Sequence, residues 1–295
     1  MRLHLVDGTY ELFRAHFSKR PDETDPQGRD VKATLGVVSS LFALLVDPDE
    51  QVTHLAVAFD NPVRSFRNDL FDGYKTEDGV APELLAQFDR VEEAVRAIGV
   101  TVWSMDRWEA DDALASAAAR WQGEVAQVRI LTPDKDLGQC IRGSHVVQVD
   151  RMRRKTIDTE ALLAARGVAP ESIPDFLALV GDTADGIPGI DGFGEKTAAA
   201  LLRAYGHVEQ IPASARDWTV TVRGAPTLAP LLASSRAEVL LYKKLATLVT
   251  DVPLRETLDD LRWRGVPREA FAAWCDALGV SAGLRGRVPR FQGAA

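Results

Sequence analysis

Short apolar runs that end at an acidic residue recur along the N-terminal half of the chain. Leu3–Val6 is followed by Asp7, Leu55–Phe59 by Asp60, and Val128–Leu131 by the segment 132–136 with two further acids. Runs of this length and composition are typical of buried parallel strands, and longer helical patterns separate them. The alternation predicts an α/β fold with a mostly parallel central sheet flanked by helices.

The acids follow the predicted strands at their carboxyl ends, where open α/β sheets bind ligands. Three more acids, at 109, 111 and 112, stand at the start of an Ala-rich helix that follows a predicted strand at 100–103. We therefore expect seven carboxylates at one edge of the sheet: Asp7, Asp60, Glu109, Asp111, Asp112, Asp134 and Asp136. Such crowding is unfavourable unless cations bind, and oxygen ligands suit Mg²⁺ or Mn²⁺. The alternative for Glu109, Asp111 and Asp112 is complementation of the helix dipole, at about 0.3–1 kcal/mol each.

Further helices are expected at 9–17, 32–46, 64–74 and 82–98, and the composition becomes predominantly helical from Thr159 onward. Here we expect helices at 159–166, 170–180, 226–250 and 267–278, and a loosely held tail at 280–295. A Gly-rich stretch at 181–194 precedes another helix that begins near Glu195. The free N–H groups of that helix would face a phosphate, although a plain tight turn is the alternative. Asp182 and Asp185 lie just before it and add two acids.

The chain has 295 residues, 46% of them hydrophobic, and a formal charge of −8. This charge argues against a nucleic-acid partner, but two bound dications would return about +4. Basic groups occur locally, with a solvated surface as the alternative for each: Arg151, Arg153, Arg154 and Lys155; Lys243 and Lys244; Arg285, Arg287 and Arg290.

The chain has no apolar stretch long enough for a membrane span, and its N-terminus is charged too early for a signal peptide. We therefore expect a cytoplasmic protein with no membrane partner. Cys140 and Cys275 are the two cysteines, and both are expected to be buried free thiols.

Taken in order, the motifs resemble those of the bacterial 5′-nuclease family, meaning the 5′→3′ exonuclease domain of DNA polymerase I and its stand-alone flap-endonuclease relatives. The similarity covers nearly the whole chain. Its motifs are Leu5-Val6-Asp7-Gly8, Ala58-Phe59-Asp60, Phe66-Arg67, Tyr74-Lys75, Glu109-Ala110-Asp111-Asp112, Asp134-Lys135-Asp136, and Gly181-Asp182 through Asp185-Gly186-Ile187-Pro188-Gly189. The resemblance implies a PIN-like fold and a structure-specific 5′ nuclease of DNA replication and repair.

The resemblance also implies roles for individual residues. The nine acids would hold two or more divalent metal ions, which hydrolyse a phosphodiester without a Ser, Cys or His nucleophile. The first metal would take mostly Asp7, Asp60, Glu109 and Asp111. The second metal or its water shell would take Asp112, Asp134, Asp136, Asp182 and Asp185. Lys75 and Arg67 would contact phosphate and assist catalysis. Tyr74 would stack on a base, with a partly buried core aromatic as the alternative.

The segment at about 181–204 is similar to the helix–hairpin–helix motif of that family, which grips duplex backbone beside a monovalent cation such as K⁺. Its candidate DNA contacts are Gly192, Gly194, Lys196 and Thr197, and Arg14 is a further candidate. Residues 1–158 would form the nuclease core, with a helical arch at about 62–98. Residues 159–295 would form a helical region whose C-terminal helices pack back on the core. The implied partners of this monomer are DNA with a 5′ flap, nick or free 5′ end, and a separate DNA polymerase.

One segment departs from the family pattern. Members usually carry a basic residue, most often Arg, soon after the Tyr-Lys pair, whereas Thr76-Glu77-Asp78-Gly79 is acidic. We expect weaker capture of a free 5′ end and a steeper demand for divalent metal.

Three other functions were compared with these motifs. A haloacid-dehalogenase phosphatase requires Asp where Leu5 stands. A PIN-type ribonuclease has a smaller domain, and a non-catalytic helix–hairpin–helix module has no use for nine acids. Each accounts for less of the sequence than a 5′ nuclease does.

Overall fold

The computed structural model describes residues 1–293, which form two compact units. Unit 1 contains residues 1–63, 77–132 and the chain from Thr250 onward. Unit 2 contains residues 64–76 and 133–249. The division into domains at residue 158, with an arch at 62–98, stays a prediction.

The strands are β1 Arg2–Asp7, β2 His54–Asp60, β3 Thr101–Met105, β4 Gln127–Leu131, β5 Val146–Asp150 and β6 Lys155–Ile157. The α-helices are α1 Gly8–His16, α2 Lys32–Val46, α3 Pro82–Leu85, α4 Phe88–Ala97, α5 Ala110–Trp121, α6 Thr159–Arg166, α7 Ile173–Val180, α8 Glu195–Tyr205, α9 Ala225–Ser234, α10 Arg236–Ala246, α11 Arg268–Leu278 and α12 Ala282–Arg285. Short 3₁₀ helices cover Phe66–Asp69, Asp136–Cys140, Pro170–Ser172, Val208–Gln210, Ala215–Asp217 and Leu258–Leu261.

Unit 1 is built on a parallel sheet with strand order β3-β2-β1-β4. The central strands β1 and β2 are almost entirely buried, which explains their continuous apolar sequences. In the register of β1 on β2, Asp7 lies opposite Ala58, so the two strands end beside each other. The Ala-rich helix α5 packs on β1, β2 and β3, because small side chains allow a close approach. The expected α/β fold with a mostly parallel sheet is confirmed.

Unit 2 combines the antiparallel pair β5 and β6 with helices α6 to α10. Helix α7 lies in the core of this unit and packs against α8 and α10. It carries one fully buried carboxylate, Asp175, which accepts hydrogen bonds from the backbone N–H of Val208 at 2.9 Å and from Lys243 at 2.8 Å. Lys243, from the predicted basic pair, therefore neutralises a buried carboxylate in the core of unit 2.

Two predicted helices are wrong in extent. The helix expected at 64–74 is only the 3₁₀ turn Phe66–Asp69, where Ser65 and Asn68 form a capping box and the Asn68 amide donates to the Lys75 carbonyl at 2.9 Å. The helix expected at 82–98 is interrupted between α3 and α4. There the buried Gln87 side chain accepts from the Thr34 backbone N–H at 3.0 Å. Polar side chains that bond to backbone outside their own helix compete with helix formation.

The region after 225 also differs from expectation. Ser235 separates α9 from α10, so the helix expected at 226–250 is two helices. In the C-terminal tail, Val280 and Leu284 are buried and Phe291 forms a β-bridge with Val266, so the described part is packed rather than loosely held. Residues 294–295 of that expectation lie outside the described residues.

No helix within residues 1–293 has both the length and the apolar character needed to cross a membrane. Both cysteines are free thiols. Cys275 is buried as expected, whereas Cys140 is only half-buried.

A half-buried hydrogen-bond and ion-pair network around Glu50 in unit 1 gives a stability prediction. Glu50 accepts from Arg129 Nε at 2.6 Å and is bonded to His4 Nε2 at 3.0 Å. Desolvation raises the pKa of Glu50, but the hydrogen bonds from His4 and Arg129 outweigh it and bring the pKa from 4.5 to about 2. A depressed carboxyl pKa stabilises the fold above the unfolded-state pKa, and this contribution is lost as pH falls toward the folded-state pKa.

Glu50→Gln should therefore lower the free energy of unfolding by about 2 kcal/mol at neutral pH. The gap between variant and wild type should narrow as pH falls from 4.5 toward about 2. Urea denaturation across this range measures it, with the exposed Glu93→Gln on α4 as control. A gap that does not change with pH would contradict the assignment.

Candidate active site

Three carboxylates of unit 2 form a compact cluster. Ligand oxygens of Asp136, Asp182 and Asp185 all lie within 4.8 Å of one another. Asp136 and Asp182 are buried, and Asp185 is half-buried. The Oδ1 atom of Asp136 is buried without a hydrogen-bond partner within the described part of the chain. We call these three residues the acid cluster.

A tight loop positions two members of the acid cluster. Asp182 and Ile187 exchange backbone hydrogen bonds of 2.8 Å in each direction, so the chain reverses between them. The Asp182 carboxylate accepts from the Ala184 N–H at 3.0 Å, which fixes its orientation. Gly186 has φ +74, and a Cβ there would lie 2.1 Å from the Gly73 carbonyl oxygen. Only glycine fits this position. The close approach places Gly73, in the segment before Lys75, against the loop.

Two lysines neutralise the acid cluster. Lys75 Nζ lies 2.9 Å from Asp185 Oδ1, and its backbone N–H donates to the Asp185 carbonyl at 3.0 Å. Lys135 Nζ lies 2.7 Å from Asp182 Oδ2. The predicted site residue Lys75 thus lies at the acid cluster. Lys135 belongs to the Asp134-Lys135-Asp136 motif but was not predicted as a site residue.

The adjacent acid Asp134 borders the acid cluster. It accepts from the Asp136 N–H at 3.0 Å, and although part of its surface is exposed, protein crowds its carboxyl group. Desolvation, together with the charges of Asp185 and Asp182, raises the pKa of Asp134. Desolvation also raises the pKa of Asp136 well above its ordinary value, and repulsion from Asp134, Asp185 and Asp182 adds to it. Four acids in this arrangement strongly favour a bound cation.

The remaining five acids lie in unit 1. Asp7 ends β1 and caps α1, accepting from the Tyr10 N–H at 2.8 Å and from Thr132 Oγ1 at 2.9 Å. Asp60 ends β2 and accepts from the Ala110 N–H at 2.7 Å, so its carboxylate touches the start of α5. The ends of β1 and β2 and the first turn of α5 therefore come together within this unit.

The acids at the start of α5 also cap it. Glu109 and Asp112 form a reciprocal capping box, in which Asp112 Oδ2 accepts from the Glu109 N–H at 3.0 Å. Both residues are buried, and Asp111 between them is half-buried. The dipole and capping interpretation therefore describes part of what these acids do. Buried carboxylates exceed what a cap needs, however, because exposed acids would serve equally well.

Two predicted DNA contacts are placed differently from the expectation. Arg67 is 1% exposed, and its guanidinium donates to the carbonyls of Leu245 at 2.7 Å and Thr247 at 3.1 Å. Its position is that of a structural anchor, because the 3₁₀ turn directs its side chain into the interior of unit 2. Tyr74 is 4% exposed and belongs to the core of the same unit, as the alternative interpretation anticipated. Arg14 pairs with Glu11 and donates to Ser40 Oγ at 3.0 Å.

The Gly-rich segment has the geometry of an open helix start. Gly194 is the N-cap of α8, and a Cβ at this position would meet nothing within 4 Å. Gly192 has φ +82, the left-handed region that glycine favours. Lys196 is exposed and Thr197 half-buried in the first turn. Their contacts with DNA stay a prediction.

Comparison with known proteins addresses the family directly. A family model described as the 5′-3′ exonuclease N-terminal resolvase-like domain matches residues 2–167, and one described as the 5′-3′ exonuclease C-terminal SAM fold matches residues 168–269. The 5′-3′ exonuclease of Aquifex aeolicus is 32% identical over 261 residues, which cover 88% of this chain and 86% of that protein. The chain belongs to the 5′-3′ exonuclease family. It is thus a member of a family of phosphodiester hydrolases, as expected.

DNA polymerase I of Bacillus caldotenax is 35% identical over 289 residues, 96% of this chain but 32% of that protein. The chain therefore spans about a third of this larger relative. Among solved structures, the T5 5′-exonuclease with bound zinc has a TM-score of 0.64 at 19% identity, covering 85% of this chain and 90% of that one. The catalytic core of Rad2 in complex with DNA substrate has a TM-score of 0.59 at 14% identity, covering 97% and 90%. These likenesses show the shared fold of this exonuclease-family chain.

The acid cluster fits a hard divalent cation, because all its donors are carboxylate oxygens and one buried oxygen has no other partner. Asp136→Asn should reduce the stabilisation that Mn²⁺ gives, because the acid cluster loses one charged ligand. The wild type should gain about 2.7 kcal/mol in free energy of unfolding at a hundredfold excess over the dissociation constant. Chemical denaturation with and without Mn²⁺ measures this, with the exposed Glu160→Gln of the same unit as control. An equal gain in Asp136→Asn and wild type would show that the ion binds elsewhere.

Proposed function

We propose that this chain is a structure-specific 5′ nuclease that hydrolyses DNA phosphodiesters at a 5′ flap, a nick or a free 5′ end. The observation that supports this most directly is the acid cluster, with Lys75 beside it. Carboxylates at this density are costly to a fold, which favours a cation-dependent function for them. The relatives' names and the DNA bound to neighbouring structures support DNA as the proposed substrate class.

The divalent ions are proposed to be Mg²⁺ or Mn²⁺, held by Asp134, Asp136, Asp182 and Asp185 in unit 2 and by Asp7, Asp60, Glu109, Asp111 and Asp112 in unit 1. When bound, such ions supply Lewis-acid catalysis, which activates water and neutralises charge on the leaving oxygen. The chain's carboxylates would hold these ions. Hydrogen bonds such as Thr132 Oγ1 to Asp7 and Ala184 N–H to Asp182 hold these carboxylates in place.

Lys75 is proposed to bind the phosphate at the scissile position. Its ammonium now pairs with Asp185, at 25% side-chain exposure, so it is accessible at the margin of the acid cluster. A single flexible cation can neutralise a phosphate as a point charge. Arg67 supports the same segment from inside unit 2 rather than contacting DNA.

The proposed function also includes contacts with duplex DNA, a monovalent cation and a polymerase. The start of α8 is proposed to contact duplex backbone through Gly192, Gly194, Lys196 and Thr197, with K⁺ beside it. A DNA polymerase is the proposed partner, since polymerase I relatives carry this region within a longer chain. The protein is proposed to act as a monomer in the bacterial cytoplasm, with residues 1–158 and 159–295 as its two functional regions.

Amide substitutions in both units test the catalytic role of the acids. Asp134→Asn and Asp111→Asn should each reduce kcat at least about a hundredfold on 5′-labelled flap DNA in Mg²⁺, because several kcal/mol of transition-state stabilisation depend on the ions. Binding in Ca²⁺ should be retained, and Glu160→Gln should cleave normally. Unchanged cleavage by both aspartate variants would refute the assignment.

A Mg²⁺ and Mn²⁺ titration with flap, nicked and single-stranded DNA, resolved on a sequencing gel, separates exonuclease from endonuclease products. Wild-type protein that binds DNA without cleaving it at any metal concentration would favour a non-catalytic module. Cleavage restricted to RNA would favour a PIN-type ribonuclease.

The acidic segment after Lys75 gives a further prediction. Glu77 and Asp78 are exposed, and their charge opposes an incoming phosphate. Asp78→Arg should lower KM for a 5′-flap substrate roughly tenfold at low salt while kcat changes little. The control is Glu269→Arg, an exposed position with the same change of charge. An unchanged KM, or an equal fall in the control, would remove this segment from 5′-end capture.

A further inference from the structure

Unit 2 contains a cavity that none of the site assignments above explains. It has a volume of about 760 Å³ and is bounded by the β5–β6 pair, α6 and α8. Eight charged side chains line it, and the six basic ones outnumber Asp150 and Glu195: Lys135, Arg153, Lys155, Arg166, Lys196 and Arg203. In a chain of formal charge −8, this is a local reversal of sign. We call it the basic cavity.

Most of this positive charge has no internal counter-charge. Within residues 1–293, Lys155, Arg166 and Lys196 take part in no ion pair. Arg203 donates only to the carbonyl oxygen of Gly167, at 3.3 Å. Arg153 pairs with Asp150 at 2.9 Å, yet 78% of its side chain stays exposed. Uncompensated cations that converge on a concave surface attract an anionic ligand.

Local backbone features hold these cations in place. The Asp150 carboxylate accepts from the Arg153 N–H at 3.0 Å and closes the turn, and the β5–β6 register sets Lys155 opposite Asp150. Gly167 ends α6 with φ +73, and a Cβ there would lie 2.9 Å from Arg203 Nη2. The absence of that Cβ lets the Arg203 side chain cross the end of α6.

The composition of the basic cavity favours backbone phosphates over bases. Proteins that hold single strands combine basic grooves with exposed aromatic rings. Phe176 is the one aromatic residue among those that line this cavity, and it is 2% exposed. The volume falls within the range of pockets for ligands larger than a single phosphate. The cavity is also continuous with the start of α8, since Glu195 and Lys196 line it.

We propose that the basic cavity binds successive phosphates of duplex DNA, which extends the contact at the start of α8 across the β5–β6 pair. This rests on the proposed function only in taking DNA as the substrate. It assigns duplex-binding roles to Arg153, Lys155, Arg166 and Arg203. Lys135 reaches from this cavity to Asp182, so the bound duplex lies beside the acid cluster.

The test measures salt dependence of binding, because each lost phosphate contact lowers the slope of log K against log salt by about 1. The double variant Lys155→Gln with Arg166→Gln should bind nicked duplex DNA in Ca²⁺ about tenfold more weakly, with a slope reduced by about 2. The control double variant Arg216→Gln with Arg223→Gln removes two exposed charges of unit 2 outside the cavity and should keep the wild-type slope. The charge-preserving pair Lys155→Arg with Arg166→Lys should also keep it.

A wild-type slope in Lys155→Gln with Arg166→Gln would overturn the proposal, as would an equal loss in the control pair. An equal loss of affinity for a single-stranded oligonucleotide would overturn the assignment to duplex. Urea denaturation of each variant separates lost contacts from lost folding, and a normal slope in a destabilised variant still counts against the proposal. Since Ca²⁺ binding needs no cleavage, a wild type that fails to cleave would defeat the proposed function while leaving this measurement intact.

Discussion

Repulsion among carboxylates in unit 2 is the constraint on which the arrangement of that unit depends. Two unit charges 4.8 Å apart repel by about 3–4 kcal/mol at an effective dielectric constant near 20. Burial of Asp136 increases this cost, and desolvation raises its pKa accordingly. The fold tolerates the acid cluster because Lys75 and Lys135 supply two positive charges and because the supporting backbone is rigid. Carboxylates held this close together have the arrangement expected of a preformed ligand set for a cation.

The backbone contacts that hold the Lys75 segment explain why some residues lie where their predicted roles did not place them. Lys75 reaches Asp185 because its own segment is fixed by the Asn68 amide and by the close approach of Gly73 to Gly186. Arg67 holds the same segment from within, through the carbonyls of Leu245 and Thr247. A buried guanidinium that bonds to carbonyls is a positional anchor, since its removal would leave those carbonyls unsatisfied. The motif containing Phe66 and Arg67 thus serves the site indirectly.

The sequence predicted the sheet well because buried parallel strands leave a local pattern of apolar residues. Apolar runs predicted β1 to β4 nearly at their observed bounds, and the helices expected at 32–46 and 159–166 match α2 and α6. Failures came where a side chain bonds to distant backbone. Gln87 interrupts a helical pattern by bonding to Thr34, and no periodicity reveals a partner 53 residues away. The sequence shows that Lys135 and the other basic residues of the cavity are present. It does not show that their side chains converge, because that depends on how β5, β6, α6 and α8 pack.

The net charge of the chain said little about which ligands its surfaces bind, and the reason is physical. Screening in salt limits each charge to its neighbours within about 10 Å, so a protein's sum of charges says little about any one surface. Unit 2 contains both extremes, with acids concentrated at Asp136, Asp182 and Asp185 and bases concentrated around the cavity. Lys135 belongs to both, since its ammonium neutralises Asp182 while its side chain lines the basic cavity. The charge of the acid cluster and the charge of the cavity are therefore coupled through one side chain, and any cation that competes for Asp182 also changes what Lys135 presents to the cavity.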